Sequence, residues 1–413
     1  MCSRVMKIKQ AFAFGSALVL VLSTISASPA SAAGPNVLPD EASWYRKQLI
    51  DGEVKPRLQH GLAPNGFYRP YLARDWQAKR EQQGTLISQP RAIYVMAAGY
   101  EVTGERVYYD AMIKTADFLL DNYADKKVPG RWVNLVDPDG KALATQFHAY
   151  GYAHVIFALA HAYRASKDKK YLNAAFATWL QLDLPRTLQG GNPELKVHGL
   201  NFAMHAFEGL LVLYKADRSN LVLGDLKLLG EYILGNFFDS NRGFFYEGLD
   251  AQLRPEPGGA IRLGHNVEMA FLFSRAVDIG FPKKYLDAGN RAIDYVTRHG
   301  VRADGSVPHE INYDGTVKDP TLIWWSHTEL LRALGHYVVH RGRQDLGPAF
   351  ARTWAYAKLH FIDPVYGGWY EMPDGTDRPK GHDWMAGYHV AMMLTEMLRL
   401  QGVTFKSGPE MLL

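Results

Sequence analysis

The 413-residue chain has one cysteine, Cys2, and that near-absence excludes several kinds of chemistry. Cys2 precedes an apolar run at 11–25, so it is not a lipoprotein cysteine, which would follow such a run. Past residue 2 the chain offers no disulfide, no thiolate metal ligand and no cysteine nucleophile. Other signatures are equally missing. No Gly-x-Gly-x-x-Gly follows a strand pattern, and there is no phosphate loop, no Gly-x-Ser-x-Gly elbow and no His-Glu-x-x-His. The sequence therefore points to no cofactor and no metal ion. An excess of one charge is lacking too, since 46 Lys and Arg stand against 42 Asp and Glu. Without a concentrated basic patch, a nucleic-acid partner is not expected.

The first thirty-two residues read as a secretory signal peptide. Arg4, Lys7 and Lys9 precede the apolar run, and Ala30-Ser31-Ala32 supplies the small residues of a cleavage site. The run is short for a membrane span. Cleavage after Ala32 removes those three cations and no acid, so the formal charge falls from +4 to +1. The expected product is one catalytic domain, 33–413, periplasmic or secreted, a monomer or homodimer without membrane contact. Expressed with its leader in a Gram-negative host, the protein should be recovered from the periplasm with its N-terminus near Ala33. Full-length protein in the membrane fraction would instead identify an anchor.

What is present is a repeat. Short breaks at Thr103-Gly104-Glu105, Ser166-Lys167-Asp168, Asp217-Arg218-Ser219-Asn220, Gly280-Phe281-Pro282 and Arg341-Gly342-Arg343 recur at intervals of roughly 52 to 63 residues. Each separates two stretches with apolar residues at i, i+3, i+4 and i+7, the pattern of paired helices. With 39–60 paired to 383–401, the count is twelve helices in six hairpins. The expected fold is all-α, an (α/α)6 barrel of inner and outer helices. The connections 61–84, 125–145, 185–198, 239–262, 299–320 and 362–382 are long and rich in Gly, Pro and aromatics. Short β-hairpins are expected around Asp137-Pro138-Asp139-Gly140 and Pro373-Asp374-Gly375. All six connections precede the first helix of a hairpin, so they gather at one end, where loops of this length commonly carry function.

Five polar residues occupy the early turns of those first helices: Arg91, His205, His265, His327 and His389. The histidines follow one another at 60, 62 and 62 residues, in step with the repeat, so they are expected to project into one cavity. His205 and Glu208 are three apart, as are His265 and Glu268, which places each pair on one helix face. A carboxylate so placed holds an imidazole in one tautomer and raises its basicity, as a general base requires. Trp324, Trp325, Trp369, Tyr370 and Tyr388 lie beside the histidines or in the rim loops, and their ring faces suit stacking on a sugar.

GHNVE, NFAMHAFE, WWSHTE and the late Tyr-His after a Gly-Trp loop resemble the N-acylglucosamine 2-epimerase family, which includes cellobiose 2-epimerases and mannose or sulfoquinovose isomerases. The resemblance runs from about Trp44 to Gln401. It implies an (α/α)6 barrel that interconverts sugars through a cis-enediolate. On this resemblance His265 and His389 match the two catalytic histidines, and Glu268 the carboxylate supporting the first. His205 matches the histidine that assists at the carbonyl or ring oxygen, and Arg91 the arginine facing the sugar's oxygens near the reacting carbons. Trp325 and Trp369 match rim tryptophans that stack on sugar. Asn201, His327, Tyr388 and Tyr152 complete the expected substrate contacts. His327 and Tyr152 depart from the family's usual residues, and the Lys before and Arg after the Tyr-His are missing. The expected activity is that of a sugar 2-epimerase or aldose–ketose isomerase on a free sugar or the reducing end of a short oligosaccharide. The alternatives are a polysaccharide lyase or related carbohydrate-active enzyme on the same barrel, and an inactive sugar-binding protein.

Overall fold

Six helices whose sequences are apolar nearly all round form an inner ring. In this computed structural model, which describes residues 38–190 and 198–408, they are α2 (Ser88–Thr103), α4 (Ala149–Ser166), α6 (Leu200–Asp217), α8 (Leu263–Val277), α10 (Trp324–His340) and α12 (Tyr388–Leu400). A helix without a polar face has to be covered on every side, and residues 151–162 of α4, for example, are buried without interruption. The outer ring is α1 (Ala42–Leu49), α3 (Arg106–Asn122), α5 (Lys169–Leu182), α7 (Asn220–Asn236), α9 (Lys284–His299) and α11 (Gly347–His360). These are one-sided. Helix α9 buries Tyr285, Ala288, Gly289, Ala292, Ile293 and Val296, the spacing of one stripe, and gives its charges to solvent. Each inner helix packs on the next, and α12 returns to α2, so the ring closes into the expected (α/α)6 barrel.

The repeat breaks are helix stops. Gly104, Lys167 and Arg218 each adopt the left-handed conformation and return their backbone N–H to the carbonyls of Tyr100, Tyr163 and Tyr214, all at 2.7 Å. That closes the end of an inner helix and reverses the chain into its outer partner. Helix α1 continues through two π-helical turns, Ile50–Val54 and Arg57–Gly61, and packs on α12. Helix α12 starts at Tyr388, five residues later than the sequence reading. Gly387 before it has φ 80°, and a Cβ there would meet Arg57 Nε at 2.5 Å.

The connections contain short strands: β1 (Gly84–Thr85), β2 (Leu135–Val136) and β3 (Ala142–Ala144) in one sheet, β4 (Phe238–Asp239) with β5 (Phe244–Phe245), and β6 (Ile261–Arg262), β7 (Glu310–Ile311) and β8 (Val317–Asp319) in another. The hairpin at Asp137–Gly140 forms between β2 and β3. The one at Pro373-Asp374-Gly375 does not. Pro373 has no N–H for a ladder, while Asp374 takes φ 52° and hydrogen-bonds through its backbone N–H to His360 at 2.7 Å. The signal-peptide reading lies outside the described residues. Among those described, no helix is long and apolar enough to cross a membrane.

Candidate active site

At the end of the barrel where the inner helices begin lies a cavity of about 310 Å³, near the lower end of the roughly 300–1,000 Å³ found for small-molecule sites. The first two turns of the inner helices supply its depth: Arg91 from α2, Tyr150 from α4, Asn201 and His205 from α6, His265 from α8, Trp325 from α10 and His389 from α12. The rim loops add Arg262, His309, Glu371, His382 and Trp384. Trp325 lies between two histidines, its ring centroid 4.9 Å from His265 and 5.8 Å from His389. Gly264 permits this approach, since a Cβ there would collide with the Trp325 ring. Trp384, about half exposed, stands at the mouth.

Three of the histidines are held alike, each by a carboxylate at Nδ1. Glu208 Oε2 is 3.1 Å from His205, Glu329 Oε1 is 2.8 Å from His389 and Glu247 Oε2 is 2.8 Å from His265. Glu208 and Glu247 are held below the usual carboxylate range. An ionised carboxylate only accepts, so His205 and His265 when neutral carry the proton on Nδ1 and leave Nε2 basic. Burial lifts Glu329 to about 7, and in its ionised form it sets His389 the same way. Burial pushes His389 well below the ordinary imidazole range, with Arg91 and His205 adding to the effect. Burial likewise lowers His205 against the opposing pull of Glu208. Both rings are therefore neutral bases at neutral pH. Arg91 is buried, donating to Trp384 O at 2.9 Å and Tyr150 Oη at 2.8 Å, with His154 Nε2 at 3.4 Å. Among the described residues no carboxylate forms an ion pair with it, so its charge is available to a bound anion.

Below the histidines lies a buried acidic layer. Glu268 sits 4.0 Å from His205 Nδ1 and 3.8 Å from Arg332 Nη2, while Arg332 holds Glu329 at 2.6 Å. Burial, with Glu329 and Glu208 nearby, pushes the Glu268 carboxyl well up. The donor atoms of His205, Glu208 and Glu268, and those of Glu268, Glu329 and His389, lie within 4.8 Å of one another, close enough for a metal. The Arg332 guanidinium already brings a positive charge into this layer.

Several expectations are corrected by placement. Glu268 does not touch His265; it turns toward Arg332 and His205, and Glu247 from the rim loop takes the place expected of it. His327 lies outside the cavity, with its rings and bonds spent on the core: Nδ1 meets Ile323 O at 2.9 Å, Nε2 accepts from Val307 N at 3.1 Å, and Phe361 packs on it. It comes two residues after Trp325, about 200° further round the helix. Tyr152 also faces away, accepting from Trp132 N at 3.0 Å, and Tyr150 lines the cavity instead. Trp369 is buried against Phe361, and Trp384 lines the mouth in its stead. Tyr388 lies beneath the cavity, its O–H on Glu208 and its ring 4.9 Å from the Arg91 guanidinium. The sequence reading missed His154, which is the sixth residue of α4 as His205 is of α6. The repeat carried that signal. Glu247, Glu371, His382 and Trp384 sit on irregular loops, where no periodicity marks them.

A family model for N-acylglucosamine 2-epimerase (GlcNAc 2-epimerase) matches residues 66–392. A cellobiose 2-epimerase of Ruminococcus albus is 23% identical over 392 residues, 85% of this chain and 98% of that protein. The solved cellobiose 2-epimerase of Bacillus thermoamylovorans superposes with a TM-score of 0.78 at 20% identity, over 86% of this chain and 98% of its own. A D-mannose isomerase structure gives 0.78 at 19% identity, over 89% and 100%. At these identities the superpositions show a shared fold.

Proposed function

The chain belongs to the N-acylglucosamine 2-epimerase family, and from that premise we propose that it interconverts sugars by moving the proton at C2 of an open-chain aldose. The substrate is a free sugar or the reducing end of a short oligosaccharide. The observation that carries this reading is the set of three imidazoles around one small cavity, each held at Nδ1 by a carboxylate, with the unpaired Arg91 among them. A C2–H is acidic only while C1 is a carbonyl. His205, tuned by Glu208 and Tyr388, assists ring opening at O5 or O1. Nε2 of His389 then removes the C2 proton, and the electron pair moves onto O1 to give a cis-enediolate. Arg91 stabilises that oxyanion, and the N-termini of the six inner helices point their positive ends the same way. Return of a proton from His265 to the opposite face of C2 yields the epimer, whereas delivery to C1 yields the ketose. Trp325 and Trp384 offer ring faces to the sugar.

The test is incubation with a panel of aldoses and short oligosaccharides in D2O. The expected result is deuterium at C2 of an epimer, or at C1 of a ketose. Unsaturated products from uronate polymers, with no exchange into any free sugar, would make the protein a lyase. Bound sugar that never exchanges would make it a binding protein.

A further inference from the structure

We infer that Glu247 is the positioning residue for His265, and that it is set in turn by Arg262 and Glu310 across the rim sheet. The inference rests on His265 being a proton-transfer group. Glu247 lies in the loop between β5 and β6, outside every repeat position. Its carboxylate spans two partners: Oε2 is 2.8 Å from His265 Nδ1 and Oε1 is 3.2 Å from Arg262 Nη1. Arg262 Nε then reaches Glu310 at 2.7 Å, the residue opposite it in the β6–β7 ladder. The main chain at Glu247 is tied down as well, its carbonyl accepting from Leu200 N, the first residue of α6, at 3.0 Å. The carboxylate therefore arrives at His265 on a braced segment.

Its charge state supports the same role. Burial acts to raise the Glu247 carboxyl, but His265 and Arg262 facing it outweigh that and hold it below the usual range. The other titratable or charged groups lining the cavity with His265 are Arg262, His309, Glu371 and His382 on the rim and Arg91, Tyr150, His205 and His389 from the inner helices. The one further carboxylate in this set, Glu371, is directed to His382 at 3.4 Å. Among the described residues Glu247 is the carboxylate in contact with this imidazole, and Glu268, one turn along the same helix, is not. Without Glu247 nothing opposes protonation at Nε2 with the lone pair left on Nδ1.

The experiment uses Glu247→Gln and Arg262→Gln in the full protein. Glu247→Gln keeps the shape but removes the charge. It should lower kcat by roughly tenfold or more, part of the ~100-fold minimum for losing the base outright, with KM changed less than kcat. The acid limb of its kcat/KM profile should move to lower pH. Arg262→Gln frees Glu247 from a competing cation, so its acid limb should move to higher pH. Opposite displacements separate tuning from mere loosening of the loop, which would lower both rates and leave both limbs in place. Nitrogen-15 spectra of the histidines in the sugar-free protein give a readout independent of turnover. In the wild type His265 should be protonated at Nδ1, and Glu247→Gln should perturb that signature while leaving His389 unchanged. An unaltered His265 signature together with unmoved limbs would overturn the inference. Absence of turnover by the wild type would instead defeat the proposed activity, leaving the spectra to judge Glu247.

Discussion

His265→Asn and His389→Asn should each reduce turnover by at least about 100-fold, the lower end of what general acid–base catalysis contributes. Asparagine keeps a hydrogen-bonding side chain of similar reach but has no basic nitrogen near neutral pH. Substrate affinity should change far less, because the ring faces of Trp325 and Trp384 and the charge of Arg91 remain. The two imidazoles lie on either side of Trp325, each with its own carboxylate, so neither has the geometry to replace the other. For an epimerase this leaves a sharper signature. A variant lacking one histidine retains a base on one side of the substrate, so C2–H still exchanges with solvent deuterium while the epimer no longer forms. Joint loss of exchange and turnover in both variants would mean one base performs both transfers. Near wild-type rates in both, measured on the true substrate, would refute the mechanism.

Why were these histidines legible from sequence when the partners of His265 and His389 were not? A sixty-residue period locates a helix and the approximate turn along it; all five repeat residues sit early in their helices, and four of them line the cavity. The period does not fix angular phase. His327 is in step with His265 and His389, yet the helix presents Trp325, Glu329, Arg332 and His336 toward the barrel interior, at i, i+4, i+7 and i+11. His327 falls on the opposite side, against Tyr356 and Phe361. The same error of two residues separates Tyr152 from Tyr150. Trp369 and Trp384 flank one loop and differ only in whether the chain's path buries the ring, which nothing local encodes. The i, i+3 spacing pairs Glu268 with His265. That spacing gives proximity of the Cβ atoms, but the imidazole turns toward the rim, where Glu247 arrives from a loop. The spacing rule did succeed for His205 and Glu208, whose side chains both turn inward.

Replacement of Arg332 by methionine should cost about 3–5 kcal/mol of unfolding free energy, the range for breaking a buried ion pair by removing one partner. Arg332 is fully buried, 2.6 Å from Glu329 and 3.8 Å from Glu268, with its guanidinium 4.3 Å from the centroid of the Phe271 ring. Methionine fills much of the space and packs on Phe271, so the loss is mainly electrostatic. Glu208, Glu268 and Glu329 are left as three buried carboxyls without their counterion. The deficit should therefore depend on pH, and its sign follows from the protons. Burial already raises Glu268 and Glu329 above the 4.5 of a free carboxyl, and losing Arg332 raises them further. Between the unfolded and folded values the native state holds more protons than the unfolded chain. This contribution is fully present below about pH 4.5 and is lost as pH rises, at about 1.4 kcal/mol per pH unit for each such proton. Urea unfolding should accordingly find Arg332→Met further below wild type at pH 8 than at pH 6. Adding Glu268→Gln should recover part of the loss at pH 8, because it removes a charge that then has no partner. A deficit under about 1 kcal/mol at both pH values would show that the acidic layer does not depend on Arg332. A large deficit that is the same at pH 6 and pH 8 would assign the residue's contribution to packing on Phe271.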